Sequence, residues 1–476
     1  MKKTILLLVI FIQAMCSYAD VFNDEIKLPD NYKIKGSFSG ELSGNSSFHI
    51  VVAQDKGKKD YELFVYKYAD SEILFLNKAT YDNQPTVLSF HSSNDVLTLI
   101  VSFQKKRKDY YNIVDFNLKT KKVSISEDTL NENALVTFRD KEVTILLNGD
   151  KEELIATKII NSKSFIKINT DKEQYDNVLF NKYFNATIDV INQNEYVKKG
   201  SVKNRKAYYK DNILVITKDK STKGNEGKVH DTSLFYFDLN KTGSNISEVV
   251  IKGSNLPSIS EYNSYLLDDK LVQITSNGKN AFLLIHDKKG NKVLSNIDLV
   301  TFDFTKVTKG KDFVSIEKFL KETKKKKYLT TITLNKTKDL NYFLRVDYVE
   351  NTYSYNSNWW WWHQHMFMMQ QQQMMMHNNV PTGFGPSLNN EYEHYFTYEE
   401  EENFSFQLSF DINGNLMKQA SDNTIYEVID KKQYVDELND DKTLKHSSSC
   451  FVEGVFRYVG YNKKEGTLKI FNKNLQ

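Results

Sequence analysis

A chain of 476 residues with a formal net charge of +3 can hold two to four domains or one large repeat array. That balance gives the molecule no global electrostatic reason to seek nucleic acid or acidic membranes, and nucleic acid is not an expected partner. Two cysteines, Cys16 and Cys450, exclude a disulfide framework, so stability has to come from a packed core.

The chain opens with Lys2 and Lys3, a short apolar stretch to Met15, and the small-x-small site Ser17-Tyr18-Ala19. This is the pattern of a secretory signal peptide over residues 1–19. The expected location is therefore periplasmic or extracellular. An uncleaved anchor is the competing reading, and Met15 fits poorly the small residue that a lipid-modified Cys16 would need before it. No later apolar run approaches membrane-spanning length, so no transmembrane segment is expected after cleavage. Loss of residues 1–19 removes two lysines and lowers the formal charge to +1, with 62 basic against 61 acidic side chains.

From residue 20 onward helical periodicity is nearly absent. Only Ser315 to Lys321 and Lys431 to Leu438 read as short helices. Strand-like runs rich in aromatic and β-branched residues recur instead. They include Tyr61 to Tyr66, Val96 to Phe103, Lys141 to Leu147, Asn212 to Thr217, Ala281 to His286 and Phe404 to Phe410. A phrase of apolar strand, polar Asp/Asn/Lys turn and second strand repeats along the chain. Its markers are Tyr66, Phe116, Ile168, Phe237, His286, Leu334 and Phe410, at spacings of 50, 52, 69, 49, 48 and 76. A unit near 50 residues matches a β-propeller blade, whose sheet buries both faces only by stacking on its neighbours. The expected fold is all-β: a single β-propeller-like domain over 20–476 with seven or eight repeats. Tandem β-sandwiches are the alternative. Each turn phrase should join two outer strands of a blade. Two long intervals are assigned to insertions, a Lys/Gly/Asn-rich loop at 198–228 and a low-complexity segment at 352–395.

That second insertion holds all four tryptophans, Trp359, Trp360, Trp361 and Trp362. His363, His365, Met366, Met368, Met369 and His377 follow them. Thioether sulfur suits Cu(I) and imidazole suits Cu(II), so these six residues form a candidate copper site. The indoles form a candidate aromatic patch for a glycan, a lipid interface or a protein. The competing reading is an inert surface loop that has expanded by repetition.

Asp287 to Asn291 and Asp411 to Asn415 place oxygen side chains around a Gly turn, but neither has the full spacing or the closing Glu of a calcium loop. They read as hairpin turns. Lys105-Lys-Arg-Lys108 and Lys324 to Lys327 read as solvated hairpin tips, with contact to a polyanion as the functional alternative. Cys450 precedes an apolar pair and reads as a buried, inert thiol. No nucleophile elbow, zinc-protease helix, phosphate loop or dinucleotide glycine pattern occurs. The sequence therefore points to a noncatalytic binding or scaffold protein with no required cofactor, whose ligand it does not identify, a protein or a glycan being the candidates. The alternatives are a secreted hydrolase or lyase acting on glycans or peptides, and a copper-binding protein. For hydrolysis, Asp, Glu and His should converge at the mouth of the array; a mouth lined by Asn, Ser and Lys counts against it.

Overall fold

A computed structural model describes residues 23–474 apart from 131–135, 141, 150–152, 172–187, 192–199, 224–226, 241–245, 289–291, 311–312, 325–327, 351–404, 418–442 and 453–454. The described residues form seven sheets, each built on a meander of three or four consecutive antiparallel strands. Sheet one runs Tyr32–Glu41, Ser47–Asp55, Tyr61–Ala69 and Glu72–Tyr81. Sheet two runs Thr86–Ser93, Val96–Lys105 and Lys108–Asn117, with Val123–Ile125 and Thr129–Leu130 on its outer edge. Sheet three is Val136–Asp140, Val143–Gly149, Glu153–Asn161 and Ser164–Asp171. Sheet four is Arg205–Lys210, Ile213–Lys223, Lys228–Asp238 and Ser247–Leu256. A further strand, Ile188–Ile191, lies parallel to its first strand. Sheet five is Glu261–Leu267, Lys270–Ser276, Ala281–Asp287 and Lys292–Asp298. Sheet six is Tyr328–Lys336, Tyr342–Glu350 and Phe406–Phe410, with Thr308–Lys309 on its outer edge. Sheet seven is Leu444–Val452, Val455–Asn462 and Thr467–Asn474, completed by the N-terminal strand Asn23–Lys27.

Burial explains why these segments read as they do. Middle strands are covered on both faces, so Ser47–Asp55 is apolar along most of its length and Lys270–Ser276 is buried throughout. Outer strands face solvent on one side and alternate, as in Glu72–Tyr81. Neighbouring sheets stack through aromatic and aliphatic layers. Phe38, Phe48 and Phe90 interlock across sheets one and two at centroid distances of 4.6–5.9 Å. Gly40 is required there, because a Cβ would lie 2.4 Å from both the Phe48 and Phe90 rings.

The sheets also converge at their inner edges. Arg139, near the end of the inner strand of sheet three, reaches across sheet two to Glu41 of sheet one at 2.8 Å. Gly200 lies against the Ile332 carbonyl, linking the segment before sheet four to the inner strand of sheet six. Contacts between sheets that are not neighbours require a radial arrangement. The result is a β-propeller-like array of seven sheets, matching the lower of the two expected repeat counts. Sheet seven packs on sheet one, where Arg457 donates to the Ser47 hydroxyl at 2.8 Å and to the Asn45 carbonyl at 3.0 Å.

Several sequence expectations change in detail. Five of the seven markers sit on third strands, as the turn phrase requires. Ile168 instead lies on a fourth strand and Leu334 on an inner strand, because alternating strands joined by polar turns occur at every hairpin of a meander. The segment expected as a loop over 198–228 contains two strands of sheet four. Residues 315–321 form the expected helix: α1, Ile316–Thr323, starts where the Ser315 side chain accepts the Lys318 N–H. Residues 1–22, the segment 431–438 and the Trp/His/Met segment lie outside the described residues.

Candidate functional site

Hydrogen bonds between sheets establish which strand ends share a face. Asp268 directly follows the inner strand of sheet five, and it pairs with Lys210 and Lys336, the last residues of the inner strands of sheets four and six. At the opposite end the Thr330 N–H donates to Glu261, the first residue of the inner strand of sheet five. Inner strands therefore run in one direction. We call the face where they begin the upper face. Hairpins between second and third strands emerge there. First-to-second and third-to-fourth turns emerge on the lower face.

Between sheets four and five lies a polar junction. The Asp219 carboxylate accepts from Lys206 Nζ at 3.0 Å, Thr232 Oγ1 at 2.7 Å and the Ser264 N–H at 3.1 Å, and its Oδ1 lies 3.1 Å from His230 Nε2. His230 Nδ1 meets Thr275 Oγ1 at 3.0 Å, and Gln273 donates to Thr232 Oγ1 at 2.8 Å. All these side chains are buried. Burial alone would raise the Asp219 pKa, but the Lys206 ammonium and the His230 hydrogen bond outweigh it and hold the carboxyl well below the ordinary range. Asp115 plays a similar part between sheets two and three, accepting from Thr98 Oγ1 at 2.8 Å and from the Ser162 N–H and hydroxyl.

Three buried histidines, His49, His91 and His286, and half-buried His446 are held neutral. Burial, helped by the Arg457 charge, pushes His49 down to about 3. Burial likewise brings His91, His286 and His446 to about 4. His91 bridges the Thr144 hydroxyl at 2.9 Å and the Ile160 carbonyl at 2.9 Å, both in sheet three. Inner strands otherwise contribute hydroxyls and amides. Ser37 donates to the His446 carbonyl at 2.5 Å, Ser39 lies 2.7 Å from the Ser448 hydroxyl, and Asn263 donates to the Ser201 carbonyl at 2.9 Å.

Two upper-face groups are shifted toward neutrality. Burial pushes Glu261 up to about 7. Burial together with the nearby Arg205 and Lys220 charges pushes Lys218 down to about 8. Sequence reading found neither, because Glu261 is enclosed by a strand of another sheet and Lys218 is set beside Arg205 only by strand pairing.

The upper-face hairpin tips are basic. Sheet one contributes exposed Lys56, Lys58 and Lys59, sheet two Lys105 to Lys108, and sheet seven Lys463 and Lys464. Sheet four adds Lys223 and Lys228, and sheet five Lys279. Lys324, just after α1, packs its stem on Gly278 of the sheet-five hairpin and brings α1 to this face. The run Lys105 to Lys108 is thus a hairpin tip, as expected, while Lys325, Lys326 and Lys327 lie outside the described residues. The Lys-Gly-Lys-Lys at 56–59 was a readable signal that the sequence reading passed over.

Cys450 is buried and free of any disulfide, as expected. The Asp411 turn is an ordinary hairpin turn: its carboxylate accepts the N–H groups of Asn413 and Asn415, both at 2.8 Å. His363, His365, Met366, Met368, Met369, His377 and Trp359 to Trp362 lie outside the described residues. Among the described residues no group of three His, Cys, Asp or Glu side chains is arranged to hold a metal ion, and no helix is long and apolar enough to cross a membrane.

Seven stacked antiparallel meanders with converging inner edges define a β-propeller-like protein. No family model and no curated protein matches the chain. Among solved structures, the β-propeller domain of the Trilobed protease from Pyrococcus furiosus aligns over 93% of this chain and 97% of that one, at 8% identity and a TM-score of 0.32. The Dos1 propeller aligns over 67% and 66%, at 10% identity and a TM-score of 0.28. A putative dipeptidyl aminopeptidase IV from Bacteroides ovatus aligns over 68% and 47%, at 9% identity and a TM-score of 0.30. The fold assignment rests on sheet order and junction contacts rather than on these similarities.

Proposed function

We propose that the protein is an exported, noncatalytic binding or scaffold protein of the periplasm or cell exterior. The observation that carries this reading is the destination of its polar groups. Inner strands carry mainly Ser, Thr, Asn and Lys, and buried His91, Asp115, Asp219 and His230 join one sheet to the next, while buried His49 is held within its own sheet by Ser39 and Ser47. A catalytic mouth would instead bring carboxylates or imidazoles together within reach of solvent. The segment 200–203 supports the same reading, since it lies along the inner edges of sheets five and six.

One feature favours the hydrolase reading. Glu261, at about 7 and at the upper end of an inner strand, has the pKa of a general acid. The two readings separate in one experiment. Purified protein is offered chromogenic glycosides, uronate oligosaccharides and peptide substrates, and both turnover and equilibrium binding are measured. Saturable binding without turnover is expected. Turnover that disappears in Glu261→Gln overturns the binding-protein reading.

A further inference from the structure

The charge of this molecule is balanced in sum, and lysine-rich hairpin tips gather on its upper face, with Asp60, Asp109 and Glu465 interspersed among them. On the lower face some lysines near turns sit in ion pairs, Lys119 with Asp95 at 2.5 Å and Lys210 and Lys336 with Asp268, while exposed Lys121, Lys122 and Lys163 do not among the described residues. On the upper face, Lys58, Lys59, Lys106, Arg107, Lys463 and Lys464 have no carboxylate within ion-pair distance among the described residues. Lys105 is the exception at its tip, paired with Asp128 at 2.9 Å.

Turn chemistry supplies an independent contrast. Two-residue hairpin loops with both residues at positive φ favour Asn, Asp and Gly. Two such loops on the lower face obey this at both positions, Asn94-Asp95 and Asp211-Asn212, and a third, Asp70-Ser71, obeys it at its first. The matching loop on the upper face is Lys106-Arg107, at φ 51° and 63°. Two long cationic side chains occupy positions where short polar residues would be less strained. Nothing in the packing calls for them, because both are exposed. A local rule broken without a packing gain points to function.

We propose that the upper face binds an anionic polysaccharide, one carrying carboxylate or sulfate groups; this rests on the binding-protein reading above. The cations are almost all lysines. Lysine acts as a point charge, without the planar fork that arginine offers to phosphates and bases. No exposed aromatic or large apolar side chain stands at the tips of 56–60, 105–108 or 463–466. Single-strand nucleic-acid binders place stacking aromatics among their cations, and surface helices or loops that dock on bilayers insert apolar residues. Separate cationic tips spread over several sheets suit a flexible polymer with regularly spaced anions.

The test uses the full exported chain. Binding to polygalacturonate is measured against neutral dextran, single-stranded DNA and phosphatidylglycerol vesicles. Lys106→Asn/Arg107→Gly removes two charges and fits the loop better, so its fold is protected; Lys58→Ser/Lys59→Asn and Lys463→Ser/Lys464→Ser address two further tips. Saturable polygalacturonate binding is expected, about tenfold weaker in ~0.5 M than in ~0.05 M salt, and progressively lost as tips are neutralised. Equal or tighter binding of DNA or vesicles overturns the polysaccharide assignment, as does the absence of polygalacturonate binding. Dextran binding that the tip variants leave unchanged overturns it too, while leaving the binding-protein reading in place. Cleavage of polygalacturonate overturns the binding-protein reading itself.

Discussion

Lys206 and Lys106 carry the same charge in opposite surroundings. Lys206 is fully buried between sheets four and five and is held by Asp219. Lys106 stands exposed at a hairpin tip with no acidic partner among the described residues. The first kind of charge belongs to the architecture, since its removal leaves an uncompensated partner in a low-dielectric junction. The second contributes little to folding, because exposed charges interact weakly with the rest of the molecule. Charge in the junctions therefore holds sheets together, and charge at the upper tips remains available to something else.

Acid should give the largest separation between the two. His49, His91, His286 and His446 have folded pKa values depressed to about 3 or 4, against about 6.5 when unfolded. A depressed folded value means that stability is fully present above about pH 6.5 and is lost as pH falls toward 4, by up to about 1.4 kcal/mol per pH unit for each group. Asp219, also depressed, adds its own loss below about pH 4. Glu261 acts in the opposite sense: its folded value is raised, so its contribution is present below about pH 4.5 and is lost as pH rises through 7. Urea titrations at a series of pH values should show a net fall of several kcal/mol between pH ~6.5 and ~4; a flat profile would contradict the assignment of neutral, buried histidines.

Asp219→Ala comes next. It strands Lys206 and His230 in the junction and should cost about 3–5 kcal/mol, read as a lower denaturation midpoint. Polyanion binding by the fraction that remains folded should not change. Gly40→Ala pushes a methyl group into the Phe48 and Phe90 rings and should cost about 1–3 kcal/mol. The smallest effect belongs to Lys106→Asn/Arg107→Gly, which should stabilise by about 1 kcal/mol or less, because both residues suit positive φ. A clear loss of stability in that variant would show that the upper tip is held by contacts and would erase the distinction drawn here.

The strands were legible in the sequence because each middle strand is apolar and each turn carries Asp, Asn, Gly or Lys. The repeat length was legible for the same reason, although Ile168 and Leu334 took the wrong place within their sheets. What stayed hidden depends on sheets meeting in space. Asp219 and Ser264 are 45 residues apart, and Arg457 and Ser47 are 410 apart. No local pattern marks such pairs. The basic run at 105–108 was readable as a tip, yet its kinship with 56–59 and 463–464 was not, since only strand direction places all three on one face.

Sheet seven joins the first and the last of the described strands: Asn23–Lys27 pairs in register with Thr467–Phe471. This sheet cannot be completed until its last strand, Thr467–Asn474, has emerged, so its closure waits on a contact between strands far apart in sequence. These two strands lie side by side, so the order of sheets along the gene is not essential to the shape. A permuted chain joined across residues 23 and 474 and opened at the exposed Asp70-Ser71 turn should assemble the same seven sheets. It would finish on a different one.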